Sequence, residues 1–184
     1  MADTIRLFDE VGDFGVTAGE FAAELAMISG DVELHVNSPG GDVFDGLAIY
    51  STLAARPGRV AVVVDGLCAS IASVIAMAAS PGQLTMAPAA VMMVHEAWAL
   101  CCGPEADMRA MADRLAGMSD IIAGVYAGRT GRPPGAWRDS MRAETWFSAD
   151  EAVAAGLADR VQPAASGDFT ARELAGLRAA FRLD

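Results

Sequence analysis

The stretch Val60-Ala-Val-Val-Val64 constrains this chain more than any other. Five consecutive apolar residues, four of them β-branched, are the mark of a strand buried on both faces. Such a strand needs helices packed over the sheet that contains it. The rest of the chain supplies them in alternation with further strands, which makes an α/β domain the natural class.

A short strand is expected at Ile5–Phe8, and Thr17-Ala-Gly-Glu20 forms a capping box that opens an amphipathic helix ending near Gly30. Val32-Glu-Leu-His-Val36 alternates as a strand and runs into Asn37-Ser-Pro-Gly-Gly41, which is read as irregular. Helical spacing predicts a helix over Phe44–Ala55, and Gly66-Leu-Cys-Ala-Ser70 turns the buried strand into a small-residue helix over 70–80. Strands are expected at 82–86 and 91–94, then a long helix over 105–128 and an Arg/Gly/Pro connection. A second capping box, Ser148-Ala-Asp-Glu151, opens a short helix closed by Gly156, and Thr170-Ala-Arg-Glu173 caps a last helix. The expected organisation is one domain over 1–162, with a joint and helix over 163–184.

At 184 residues and 53% hydrophobic, the chain can bury a substantial core and still leave apolar surface for subunit contacts. The apolar stretch 67–79 is shorter than the roughly 20 residues a membrane helix needs, and the N-terminus lacks the apolar run of a secretory signal. No membrane association and a cytoplasmic location are expected. A net charge of −11 argues against a nucleic-acid partner, because phosphate binding needs clustered cations. Cys68, Cys101 and Cys102 have no paired zinc spacing, so no metal is expected. All thirteen basic residues are arginine, which excludes Ser–Lys catalysis, Schiff-base chemistry and a P-loop lysine. The histidines are two, His35 and His95.

Ser70 follows a buried strand and a glycine-led turn, at a helix N-terminus where backbone N–H groups are free. The Ile71 amide there can face a developing oxyanion. Its surroundings, Ala69, Ile71 and Ala72, differ from the Gly-x-Ser-x-Gly elbow. Gly40 and Gly41 allow close backbone approach, and can offer amides and an edge for an extended peptide. His95, at a strand end, suits a general base; His35, inside an alternating strand, is its competitor.

These motifs, Asn37-Ser-Pro-Gly-Gly41, Gly66-Leu-Cys-Ala-Ser70-Ile-Ala, the strand ending in His95, and 147–159, resemble the Clp protease proteolytic subunit family in order from about residue 5 to 162. The spacings of 29 residues from Gly41 to Ser70 and 25 from Ser70 to His95 fit it as well. The resemblance implies a Clp/crotonase-type α/β fold of repeated β-β-α units and a serine endopeptidase needing no cofactor. It implies Ser70 as nucleophile, His95 as base, Gly41 and Ile71 as oxyanion-hole amides, and Gly40, Gly41, Asp42 and Val43 as the peptide-binding strip.

The family's third member is an aspartate; the position 49 residues after His95 is Glu144, with Asp139 as the alternative. A homo-oligomeric ring acting on polypeptides is implied too. The family's flexible N-terminal segment is expected to be missing, because the first strand starts by Ile5, and 17–32 is abbreviated. With the look of 144–152, this suggests a phage or prophage head-maturation protease acting on capsid or scaffold protein, with a Clp ATPase in doubt. The alternatives are a housekeeping ATP-dependent Clp proteolytic subunit, a crotonase-type acyl-CoA enzyme and an inactive assembly subunit.

Overall fold

A computed structural model describes residues 2–163; the helix expected after Thr170 lies outside them. Seven strands and six helices follow one another as β1 (Asp3–Leu7), α1 (Ala18–Ala26), β2 (Val32–Ser38), α2 (Val43–Ala54), β3 (Val60–Ala69), α3 (Ile71–Ala76), β4 (Leu84–Met86), β5 (Val91–Val94), α4 (Glu105–Thr130), α5 (Pro134–Arg142), β6 (Thr145–Ser148), α6 (Ala149–Ala154) and β7 (Arg160–Val161). All strands join one sheet in the order β1-β2-β3-β4-β7, with β5 pairing β3 and carrying β6 beyond it. Every pairing is parallel except β5 with β6. The chain is a mixed α/β domain, as the alternating pattern required.

Register explains the core. Ile5, Leu34 and Val62 stand side by side across β1–β3, as do Leu7, Val36 and Val64. All six are buried, in one cluster with Phe21 and Leu25 of α1 and Ile49 and Leu53 of α2. Val63 is also buried, on the opposite face, but its neighbour in register there is the half-buried His35. Burial on both faces therefore holds at the centre of β3 more than around it.

The strand β3 is twice its expected length, running on through Gly66 to Ala69. Asn37 makes this possible: its side-chain oxygen accepts from the Leu67 amide at 2.9 Å, and a Cβ on Gly66 would lie 2.7 Å from that oxygen. The pairing of β2 with β3 shifts there, from Val36–Val64 to Ser38–Cys68. The first half of β3 then pairs β4 and the second half pairs β5. This split fans the sheet open at the C-terminal ends of its strands, where ligands of such sheets bind.

Other expectations need correction. Asn37 and Ser38 belong to β2 rather than to an irregular loop. The helix after Ser70 is regular only over Ile71–Ala76, then tightens into turns bonded three residues back at Met77, Ala78 and Ala79. The Arg/Gly/Pro connection contains α5, whose Pro134 sits in the first turn, where a missing amide costs nothing. Strands β6 and β7 were not expected. Both capping boxes form as read, on Thr17–Glu20 and Ser148–Glu151. Among the described residues no helix is long and apolar enough to cross a membrane.

Candidate active site

Four strand ends meet at one place. Ala69 pairs Met93 in the parallel β3–β5 ladder, and the Ser70 amide extends it by donating to the Met93 carbonyl at 3.0 Å. His95 follows β5 directly. Across the antiparallel β5–β6 pair Val94 faces Thr145, which leaves His95 and Glu144 just beyond adjoining ends of the two strands. Through the Ser38–Cys68 pairing, β2 delivers Gly40 beside Ser70. Four segments distant in sequence are thus aligned by register.

Ser70 Oγ lies 2.7 Å from His95 Nε2. Ser70 has φ 55 and ψ −130, a conformation that costs a non-glycine residue about 1–3 kcal/mol. A clamp holds it: its amide bonds Met93, while its carbonyl accepts from the Ser73 amide at 3.0 Å and the Ser73 hydroxyl at 2.6 Å. Ser73 Oγ lies 2.7 Å from the hydroxyl of Tyr126 on α4, and both side chains are buried. With its own proton committed to a carbonyl, Ser73 accepts from Tyr126. No sequence signal marks this clamp, because a serine in an Ala-rich helix looks like packing.

The Gly40–Asp42 strip is anchored on one edge. Val11 donates to the Gly40 carbonyl at 2.8 Å and accepts from the Asp42 amide at 2.7 Å, which is the bonding of a parallel bridge to Gly41. This pattern turns Gly41's own N–H and C=O to the other edge. Among the described residues neither the Gly41 nor the Ile71 amide donates to a protein acceptor. Gly40 packs against the elbow so closely that a Cβ there would sit 2.7 Å from the Ala69 oxygen and 3.0 Å from the Ile71 nitrogen. Its amide is already used by Ser38 Oγ at 3.1 Å.

Gly40, Gly41, Val43, Ser70, Ile71 and His95 line a single cleft of about 400 Å³. Asp42, read from sequence as part of the peptide strip, does not line it. Its carboxylate caps α2, accepting from the Phe44 and Asp45 amides at 2.8 and 2.9 Å. The floor is apolar, with Val74, Met93 and Ile122. Glu10 and Trp98, which sequence reading did not single out, also line it.

Burial holds the half-buried His95 imidazole below the ordinary histidine value, and the charge of Glu144 pushes it partly back up. Glu144 is exposed and, at φ 48, is the other described non-glycine residue with positive φ. Asp139 lies elsewhere, paired with Arg142 at 2.8 Å and largely exposed. His35 is also apart from the cleft, on β2 between Asp65 at 2.7 Å and Glu33 at 3.2 Å. Cys68, two residues before Ser70, is fully buried, and its thiol is pushed up by desolvation, which makes it inert as a nucleophile.

The Clp protease family model matches residues 9–164. ATP-dependent Clp protease proteolytic subunit 3 of Rhodococcus jostii is 33% identical over 163 residues, covering 86% of this chain and 80% of that protein. The subunit 3 protein of Streptomyces coelicolor is 33% identical over 79% of this chain and 70% of its own length. Subunit 2 of Corynebacterium efficiens is 33% identical over 83% and 79%. These names are those of cellular Clp subunits, and the resemblance to head-maturation proteases finds no counterpart among them. A mostly parallel α/β sheet, a serine–histidine pair in a cleft and a match spanning most of the chain agree: the protein belongs to the Clp protease family and is a serine endopeptidase.

Proposed function

We propose that Ser70 is the nucleophile, His95 the general base and Glu144 the carboxylate that supports the imidazolium. The observation that carries this reading is the 2.7 Å bond between Ser70 Oγ and His95 Nε2 on a strained, clamped elbow inside the cleft. Ser70 Oγ attacks the scissile carbonyl carbon while its proton passes to His95 Nε2. The carbonyl oxygen becomes an oxyanion facing the Gly41 and Ile71 amides. Collapse breaks the C–N bond, His95 gives its proton to the leaving amine, and Ser70 is left acylated. Water, deprotonated by His95, then attacks the acyl carbon, the bond to Ser70 Oγ breaks, and His95 returns the proton to Oγ as the acid leaves. The substrate lies extended along Gly41 and Val43, and no metal or cofactor takes part.

Glu144 is favoured over Asp139 because its charge acts on His95, while Asp139 is engaged by Arg142. Labelling with a fluorophosphonate tests the scheme: wild type should be modified at Ser70, and Ser70→Ala should not react. Unchanged labelling of Ser70→Ala would overturn it.

For the biological role, the names of the relatives favour a general Clp proteolytic subunit over capsid maturation. We therefore take the protein to work as a ring of identical subunits in the cytoplasm, on polypeptides that a Clp ATPase delivers. Mixing the purified protein with such an ATPase, ATP and a tagged folded substrate should give degradation. Cleavage of short peptides alone, with no gain from the ATPase, would restore the phage reading.

A further inference from the structure

We propose that Glu10 selects substrates that carry a lysine or arginine side chain beside the scissile bond. This rests on the peptidase reading above and adds a substrate preference to it. Glu10 lines the same cleft as Ser70 and His95. Its side chain runs next to Gly41: a Cβ built on Gly41 would lie 2.9 Å from Glu10 Cγ. Since Gly41 offers the free edge for an extended peptide, Glu10 stands beside the bound backbone, within reach of a side chain near the reacting carbonyl.

The backbone that presents Glu10 is fixed. Its amide donates to Asp9 Oδ1 at 2.8 Å, its carbonyl accepts from Val16 at 2.8 Å, and the next residue forms the bridge to Gly41. The carboxylate makes no ion pair among the described residues. The cleft's other carboxylate, Glu96, differs: it faces Arg138 at 3.0 Å and Arg142 at 3.6 Å.

No arginine lines the cleft, and the chain has no lysine. Beside Glu10, the carboxylates of Asp9 and Asp42 are engaged by backbone amides and bring no counter-charge. A cationic substrate side chain therefore meets an unpaired negative charge at the exposed edge of the cleft, while an acidic one is repelled.

The test compares peptides identical except for lysine, glutamine or glutamate at each of the two positions on either side of the cleaved bond. For wild type, kcat/KM should favour lysine over glutamate at one of these positions by on the order of tenfold, less in high salt. Glu10→Gln should bring that ratio close to one, and Glu10→Arg should invert it. A flat wild-type profile, or a lysine preference that survives in Glu10→Gln, would overturn the proposal. A protein that neither cleaves any of the peptides nor labels at Ser70 would overturn the peptidase reading beneath it, and the two failures are told apart by the label.

Discussion

His95 Nε2 stands 2.7 Å from Ser70 Oγ because both residues extend one parallel ladder past its end, where the Ser70 amide still bonds the Met93 carbonyl. The pair is built by β3 and β5 rather than by a loop, and sites held on strands keep their geometry more tightly. Burial lowers the imidazole's proton affinity, which favours the neutral form that can accept a proton.

Removing either member should abolish peptide hydrolysis, by a factor of about 10⁶ if the two act as a unit. Ser70→Ala should fold normally, since a single hydroxyl leaves a site already lined with small residues. His95→Ala should be comparably inactive, whereas His35→Ala, on a strand away from the cleft, should keep its activity. Rates with a fluorogenic peptide on purified protein decide this.

The pH profile separates Glu144 from Asp139. Glu144 raises the His95 value, so Glu144→Gln should let it fall further, and the acidic limb of kcat/KM should move to lower pH. The plateau rate should drop at the same time, because the imidazolium formed during reaction loses its counter-charge. Asp139→Asn should change neither. A shifted limb in Asp139→Asn with none in Glu144→Gln would transfer the role.

The clamp on the elbow should be measurable as stability. Tyr126→Phe removes the donor to Ser73 and leaves a buried acceptor unpaired, a loss of about 1–3 kcal/mol. For a domain of this size that corresponds to a Tm lower by about 2–12 °C. Activity should fall with unchanged KM if the clamp positions Ser70, and thermal melting with kinetics on one preparation tests both.

What sequence could and could not reveal follows from where the information lies. Local signals, a buried strand, a strand end and a turn, mark Ser70, His95 and the Gly40-Gly41 pair as candidates, and the resemblance to the Clp family is what assigns them roles. Glu10 and Tyr126 carry no such signal; they enter the site through the Val11–Gly41 bridge and the packing of α4, both contacts between distant segments. Strand β6 carries no strand signal of its own between the Arg/Gly/Pro connection and the capping box, and only its pairing with β5 makes it a strand. Asp42 shows the converse error: a residue in the right motif, but with its carboxylate turned to cap α2 instead of facing the cleft.

Gly40 should not tolerate a side chain, because one there would press on the elbow that carries Ser70. It has φ 91, and a Cβ would press within 2.7 Å of both the Ala69 oxygen and the Ser70 Cβ. Neither is the free end of a flexible side chain, so Gly40→Ala must push the elbow itself, moving Ser70 Oγ relative to His95 and the Ile71 amide. A displacement near 1 Å at the reacting atoms costs about a hundredfold in rate, so Gly40→Ala should lose at least that in kcat and should label slowly with a fluorophosphonate. Gly117, within α4, is the control: nothing lies within 4 Å of its Cβ position. Gly117→Ala should leave catalysis alone and stabilise the fold by about 0.5–1 kcal/mol through helix propensity. Full activity in Gly40→Ala would show that β2 and the elbow are not packed as described, and with them the oxyanion site would have to be redrawn.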